Sequence, residues 1–234
     1  MRGNLSKITI RSVLLQNYPN LEYVIIDGGS TDNSVEIIKK YEPWLTYWVS
    51  EKDQGQSHAL NKGLSMCTGE IISWLNPDDL LKKNALNCVA TNLSLEKPQW
   101  LIGACQLVDY KRNATNIRNP PNDINKQIFL YWIENWFSQL STFWNRKLFD
   151  LVGYLDVSLV YVMDVDLWWR MAAHGEPVIV KQVLSEYRVH DEAKTISSLE
   201  KYNSELIAWS CKNLIQNSYD SYANFEHEFT KLRV

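Results

Sequence analysis

Apolar residues follow two rhythms along this 234-residue chain. Leu21–Ile26, Leu45–Val49 and the stretch from Glu70 to Leu75 are apolar at nearly every position, which predicts strands covered on both faces. Between them the spacing is helical. Residues 4–17 put Ile8, Val13, Leu14 and Leu15 on one face, Val35, Ile37, Ile38 and Tyr41 form a second stripe, and residues 56–67 a third helix closed by Thr68-Gly69. Strands alternating with such helices predict an α/β fold with a mostly parallel, Rossmann-like sheet flanked by helices. Right-handed crossovers then bring the strand ends to one edge. Asp27, the loop 50–55 and Asp78-Asp79 should converge there.

The second half is less regular. A helix is predicted over 81–95, starting near Leu80, followed by a strand from Trp100 to Tyr110. Residues 111–127, with Pro120-Pro121 and several Asn, read as a polar surface loop over the site, and 129–137 as an ambiguous aromatic segment. Strands are expected at 141–144 and 178–183, and helices at 145–152, 163–173 and 197–216. This makes one domain over 1–216 and a C-terminal tail over 217–234.

Composition narrows the classes. The formal net charge of −3 gives no basic field for nucleic acid. The four Cys are widely spaced, which predicts free thiols and a reducing compartment. Three Asn-X-Ser/Thr triplets, at Asn4, Asn92 and Asn113, carry little weight without a secretory context. No apolar run approaches the length of a membrane span. Ten Trp serve equally as core or as stacking surfaces for sugars.

The candidate chemistry is carboxylate. Asn76-Pro-Asp-Asp79 follows a predicted strand, where open α/β sheets bind ligands. Two adjacent carboxylates there suit Mg²⁺ or Mn²⁺, with phosphates completing the shell. Alone, the same residues read as a cap on the helix expected from Leu80. Asp27-Gly-Gly-Ser-Thr-Asp32 is either a tight turn or an acid that contacts a nucleotide. Asp164 and Asp166 complement a helix dipole, or one of them is a general base and the other structural. His190 is a candidate metal ligand, and Arg188 and Lys194 candidate phosphate contacts.

Taken in order, Asp27-Gly-Gly-Ser-Thr-Asp32, Ser50-Glu-Lys-Asp-Gln-Gly55, Ala59-Leu-Asn-Lys-Gly63, Thr68-Gly-Glu70, Leu75-Asn-Pro-Asp-Asp79, Thr142-Phe-Trp-Asn-Arg146, Gly153-Tyr-Leu-Asp156, Met163–Arg170 and Tyr187-Arg-Val-His190 resemble glycosyltransferase family 2. The resemblance runs from about residue 8 to 195 and implies a GT-A fold, with a nucleotide-sugar half over about 1–110 and an acceptor half over 111–216. It implies inverting transfer from a nucleotide-diphospho-sugar to an acceptor hydroxyl on a glycan or lipid-linked acceptor. A divalent cation, Mn²⁺ or Mg²⁺, would be held by Asp78, Asp79 and His190. Asp27, Asp53, Gly55, Asn61 and Asp78 would bind the donor, and Asp164 would be the base. Trp132, Trp136 or Trp144 would stack on the acceptor unless packed in the core. Two departures stand out: Asn76 replaces the first acid of the metal motif, and Gly28 replaces a frequent second acid. Members also begin with a strand and a Pro-Thr/Ser segment beside the nucleotide. Met1 falls where that segment ends, so the expectation is an N-terminally shortened sheet with its first strand missing. The resemblance implies a cytoplasmic enzyme of surface-polysaccharide or glycolipid synthesis, peripherally associated with the inner membrane face. The alternative is an impaired relative that binds a nucleotide or a partner. The pattern specifies no oligomeric state.

Overall fold

The computed structural model describes residues 2–109, 111–132, 136–189 and 198–217. Helix α1 (Arg2–Leu14) leads to β1 (Val24–Asp27), α2 (Ser34–Tyr41), β2 (Tyr47–Ser50), α3 (Gln56–Met66) and β3 (Ile71–Ile72). The chain continues through β4 (Leu80–Leu81), α4 (Ala85–Asn92), β5 (Trp100–Val108), β6 (Ala114–Arg118) and β7 (Thr142–Asn145). It ends in α5 (Arg146–Val152), α6 (Met163–Ala172), β8 (Val178–Arg188) and α7 (Leu199–Asn217).

The sheet is mixed rather than mostly parallel. β1 and β2 form a parallel pair of their own, while the other strands run in the order β3-β7-β5-β8-β4 with β6 also on β5. Within that larger sheet only β5–β8 is parallel. The reason is local. The helix expected over 81–95 starts only at Ala85, because Leu80 and Leu81 first form an edge strand that pairs antiparallel with Glu186 and Ser185. The expected loop 111–127 likewise begins with a hairpin return, β6 on β5, turned at Asp109, whose carboxylate accepts from the Lys111 and Asn113 amides. One edge of β5 is shared: its first three residues pair with β7 and its last four with β6.

Alternation along the central strands sorts two cores. Trp100, Ile102 and Trp144 face one side, with Trp74, Trp168 and Leu206. Leu101 and Phe143 face the other, against Ala85, Val89 and Leu93. Trp168 on α6 stacks on Trp74 at 5.5 Å between centroids and contacts Trp144 at 5.6 Å. Four of the ten Trp are thus spent beneath the strand ends, each fixing an element by area and ring geometry. Gly103 permits the approach of β8, since a Cβ there would meet Leu184 Cδ1 at 2.4 Å. A third, smaller core of Ile10, Ile37 and Ile38, with Tyr23, Ile25 and Trp48, serves β1 and β2.

Candidate active site

Asp27 closes β1 and is nearly buried, at 9% exposure. Its Oδ2 accepts from the Ser30 amide at 2.9 Å, the Gly29 amide at 3.1 Å and the Ser50 hydroxyl at 2.6 Å, while Ser30 Oγ donates to Oδ1. Burial raises the carboxyl, but the Ser30 and Ser50 hydroxyls and the two amides outweigh it and hold the group below its ordinary range. The Gly28-Gly29 turn is required twice over. Gly29 has φ +83°, and a Cβ on Gly28 would lie 2.2 Å from Asp53 Oδ2. Asp53 therefore occupies the space that an acid at position 28 would need. The Asp53 carboxylate also accepts from the Gly55 amide at 2.9 Å, and Gly55, at φ +115°, starts α3.

From the α3 start the polar groups continue across to Asp79. Gln56 donates to Asn76 Oδ1 at 3.2 Å, and Asn76 Nδ2 reaches Asp79 Oδ2 at 3.3 Å and Gln139 Oε1 at 3.4 Å. Gln139 in turn donates to the Trp74 carbonyl at 2.8 Å. Asn76 thus stands in for an acid as a tie between loops. Asp79 is 2% exposed and accepts the Arg188 amide at 3.4 Å. Burial, followed by the charge of Asp78, pushes its carboxyl well above the ordinary range, with Asn76 and Arg188 acting the other way. Tyr187 is pushed up to about 12 by burial and by the Asp79 and Asp78 charges. No helix starts at Leu80, so Asp78-Asp79 is not a helix cap.

This pair fits a divalent cation. A buried carboxylate beside a second one is costly as two anions and favourable around hard positive charge. Arg188 is buried at 7% exposure, and its Nε has no hydrogen-bond partner, the unmet donor that a phosphate oxygen would satisfy. Among the described residues no group of three or more His, Cys, Asp or Glu could hold a metal by itself. Remaining ligands would come from substrate, water or His190, which lies outside the described residues, as does Lys194.

Asp164 and Asp166 diverge as i and i+2 positions on a helix should. Asp166 is committed: Arg170 Nε donates to it at 2.9 Å and the Trp209 indole at 3.0 Å. Asp164, in the first turn of α6, accepts the neighbouring Val165 amide at 2.9 Å, and its charge is felt at Tyr202 on α7. The α6 start meets the start of α3 through Ser57, whose hydroxyl donates to the Leu159 carbonyl at 3.0 Å and to Met163 Sδ at 2.8 Å. Asn61 sits deeper, with its amide donating to the Leu155 carbonyl at 2.8 Å and accepting the Leu155 amide at 2.9 Å. Trp132 and Trp144 are core residues, and Trp136 is half-buried under the Arg118 guanidinium at 4.6 Å. Gln56 and Gln139 were not singled out in the sequence; uncharged and isolated, they carry no spacing signal.

A family model described as glycosyl transferase family 2 matches residues 6–157. An uncharacterized glycosyltransferase of Rickettsia typhi is 27% identical over 235 residues, covering 97% of this chain and 74% of its own. Among solved structures, Staphylococcus aureus TarS 1–349 in complex with UDP-GlcNAc superposes with a TM-score of 0.68 at 16% identity, covering 94% of this chain and 66% of that one. The mannosyltransferase PcManGT of Pyrobaculum calidifontis, in complex with GDP-Man and Mn²⁺, gives 0.62 at 19%, covering 93% and 62%. The likeness to both structures is one of fold, the GT-A arrangement.

Proposed function

The chain belongs to glycosyltransferase family 2, and from that premise we propose that it transfers a sugar from a nucleotide-diphospho-sugar to an acceptor hydroxyl with inversion. One observation carries the reading. Polar groups gather along the strand ends: Asp27 is held by Ser50, Asp53 by the Gly55 amide at the α3 start, Gln56 is bonded to Asn76 and Asn76 to buried Asp79, which accepts the amide of Arg188, the residue whose Nε is unmet. That is a cradle for a nucleoside at one end and a diphosphate at the other.

The roles follow from charge. Asp27, acceptor-only as an anion, takes three donors on Oδ2 and one on Oδ1, so Oδ1 is the oxygen left to accept from a base or ribose donor. Asp53 and Gly55 line the opposite side of the nucleotide. Asp78 and Asp79, with His190, would hold the divalent cation. When bound, that ion neutralises the charge that builds on the leaving diphosphate. Arg188 adds a donor to the same oxygens. Asn61 acts at one remove, holding the 153–159 segment through Leu155. Asp164 takes the proton from the acceptor hydroxyl, which attacks the anomeric carbon opposite the diphosphate in one displacement. The acceptor is a glycan or a lipid-linked glycan, used in surface-polysaccharide or glycolipid synthesis at the inner face of a membrane. No described helix is long and apolar enough to cross one.

The test is release of nucleoside diphosphate from UDP-GlcNAc, GDP-mannose and related donors with Mn²⁺ or Mg²⁺, alongside Asp164→Asn. Metal-dependent turnover that falls at least a hundred-fold in Asp164→Asn is expected. Nucleotide binding without turnover in any donor and acceptor extract would instead leave a nucleotide-binding module. Turnover unchanged in Asp164→Asn would remove Asp164 from its role.

A further inference from the structure

Helix α6 begins at Met163, with Asp164 in its first turn. The first amides of any helix lack intrahelical acceptors and usually find one on a Ser, Thr, Asp or Asn just ahead. Here the preceding residue is Val162, which has no such group. Glu205 of α7 instead holds the backbone just ahead of the helix. Glu205 Oε2 takes the amides of Tyr161 at 2.5 Å and Val162 at 2.9 Å, and Oε1 takes that of Val160 at 2.9 Å. A single carboxylate thus receives three consecutive amides. Such charge-assisted bonds are about twice as strong as neutral ones, and the anion also complements the positive end of the helix.

The neighbouring positions on α7 act on the same two turns. Trp209 holds Asp166, and Tyr202 lies near enough to Asp164 for that charge to raise its phenol further, after burial. Residues 202, 205 and 209 share one helical face. From the other side, Ser57 fixes Leu159 and Met163. The segment 159–163 is therefore held between the start of α3 and α7, with Glu205 accepting its amides at 160–162.

We infer that Glu205 is a positioning residue for Asp164. By capping the amides of 160–162 it sets where the first turn of α6 stands, and so where the Asp164 carboxylate meets an acceptor hydroxyl. It touches no reacting atom. The inference rests on the reading of Asp164 as the base and adds a residue that lies beyond the segment matched by the family model. Its leverage comes from geometry, since a displacement of about 1 Å at a reacting group can cost about 100-fold in rate.

The experiment compares Glu205→Ala, Glu205→Gln and Asp164→Asn in the full chain, with UDP-GlcNAc or GDP-mannose, whichever the wild type turns over in Mn²⁺. Turnover is measured below the melting transition of every variant, and binding of UDP or GDP with Mn²⁺ by calorimetry. Glu205→Ala should lower kcat by about ten-fold or more while nucleotide Kd stays within about two-fold. Glu205→Gln, which keeps an acceptor oxygen, should recover part of the loss. Adding Glu205→Ala to Asp164→Asn should lower turnover no further. A purely structural cap would move only the melting temperature and leave kcat of the folded variant unchanged, and that result overturns the inference. Weakened nucleotide binding in parallel with kcat overturns it too. If Asp164→Asn retains turnover, the base assignment falls and the inference with it. If Asp164→Asn abolishes turnover while folded Glu205→Ala keeps full kcat, the inference alone falls. Should Glu205→Ala not fold, Glu205→Gln decides.

Discussion

Replacing Asp79 by Asn should stabilise the metal-free protein while removing its response to metal and nucleotide. Asp79 is 2% exposed, and burial, then the Asp78 charge, raises its carboxyl well above the ordinary range. A raised folded-state value means that the stabilising contribution is fully present below the ordinary carboxylate pKa of about 3.9 and is lost as pH rises through the folded value. Within that window the loss accrues at up to about 1.4 kcal/mol per pH unit. Asn has the same shape and does not titrate, and its carbonyl can still accept the Arg188 amide. Against this, the second oxygen becomes an NH₂ that cannot accept from Asn76 Nδ2, and that contact is lost at a cost of about 1 kcal/mol. The expectation is near-equal stability around pH 4 and a gain on the order of 1–3 kcal/mol for the variant at pH 7, the usual scale for relieving a buried charge. Urea unfolding in chelator across pH 4–8 measures it. Adding Mn²⁺ with UDP or GDP at about 100 times Kd should then stabilise the wild type by about 2.7 kcal/mol and the variant far less. A variant that is weaker by the same amount at every pH, or that gains as much from Mn²⁺ and nucleotide, refutes the reasoning.

Asp27 behaves in the opposite sense. Its depressed carboxyl stabilises the fold above the ordinary carboxylate range, and that contribution is lost as pH falls through the folded value. Ser50→Ala removes the 2.6 Å bond to Asp27 and should cost about 1.5–3 kcal/mol at pH 7, a deficit that shrinks in acid unfolding curves. Gly28→Ala forces Asp53 aside, since the new Cβ would lie 2.2 Å from its Oδ2. Because only a flexible side-chain end is displaced, stability should change by under about 1 kcal/mol, while calorimetry should find nucleotide affinity about ten-fold weaker. Gly103→Ala meets packed Leu184 at 2.4 Å and should cost about 1–3 kcal/mol in urea melts. The same change should cost less in a Leu184→Ala background, where the clash is gone.

What could be read from the sequence was whatever local pattern determines. The strands ending at Asp27 and Ser50 and the helices around Ile37 and Leu64 fell where apolar spacing put them. Helical geometry put Asp164 and Asp166 on different faces, and the structure commits Asp166 to Arg170 and Trp209. What pattern cannot encode is partnership across the chain. Leu80-Leu81 became a strand because β8 offers an edge, and 114–118 because β5 had half an edge open. Asn76, where the resemblance implies an acid, is a junction between Gln56, Gln139 and Asp79, positions scattered through the sequence. The Gly28 departure became intelligible only with Asp53 in view.

The separation of β1–β2 from the larger sheet has a consequence for cooperativity. The pair shares four register positions internally, and among the described residues no ladder bond joins it to the other six strands. It also has its own apolar cluster. What fastens it includes side-chain ties from Glu22 to Thr68 and Gly69, from Thr9 to the Pro77 carbonyl, from Gln56 to Asn76, and from Ser12 of α1 and Gln16 just after it to Leu81, Lys82 and Leu86. Such a unit can open by itself at a free energy below that of global unfolding. Amides of Ile25 and Ile26 should then exchange with deuterium sooner than those of Leu101 and Ile102. A nucleotide that touches Asp27 at one end and the Asp79 region at the other would bridge the two units, and the protection it confers would concentrate in the weaker one. Ligand and fold would be coupled there, with the donor serving as the missing continuity between two halves of the protein.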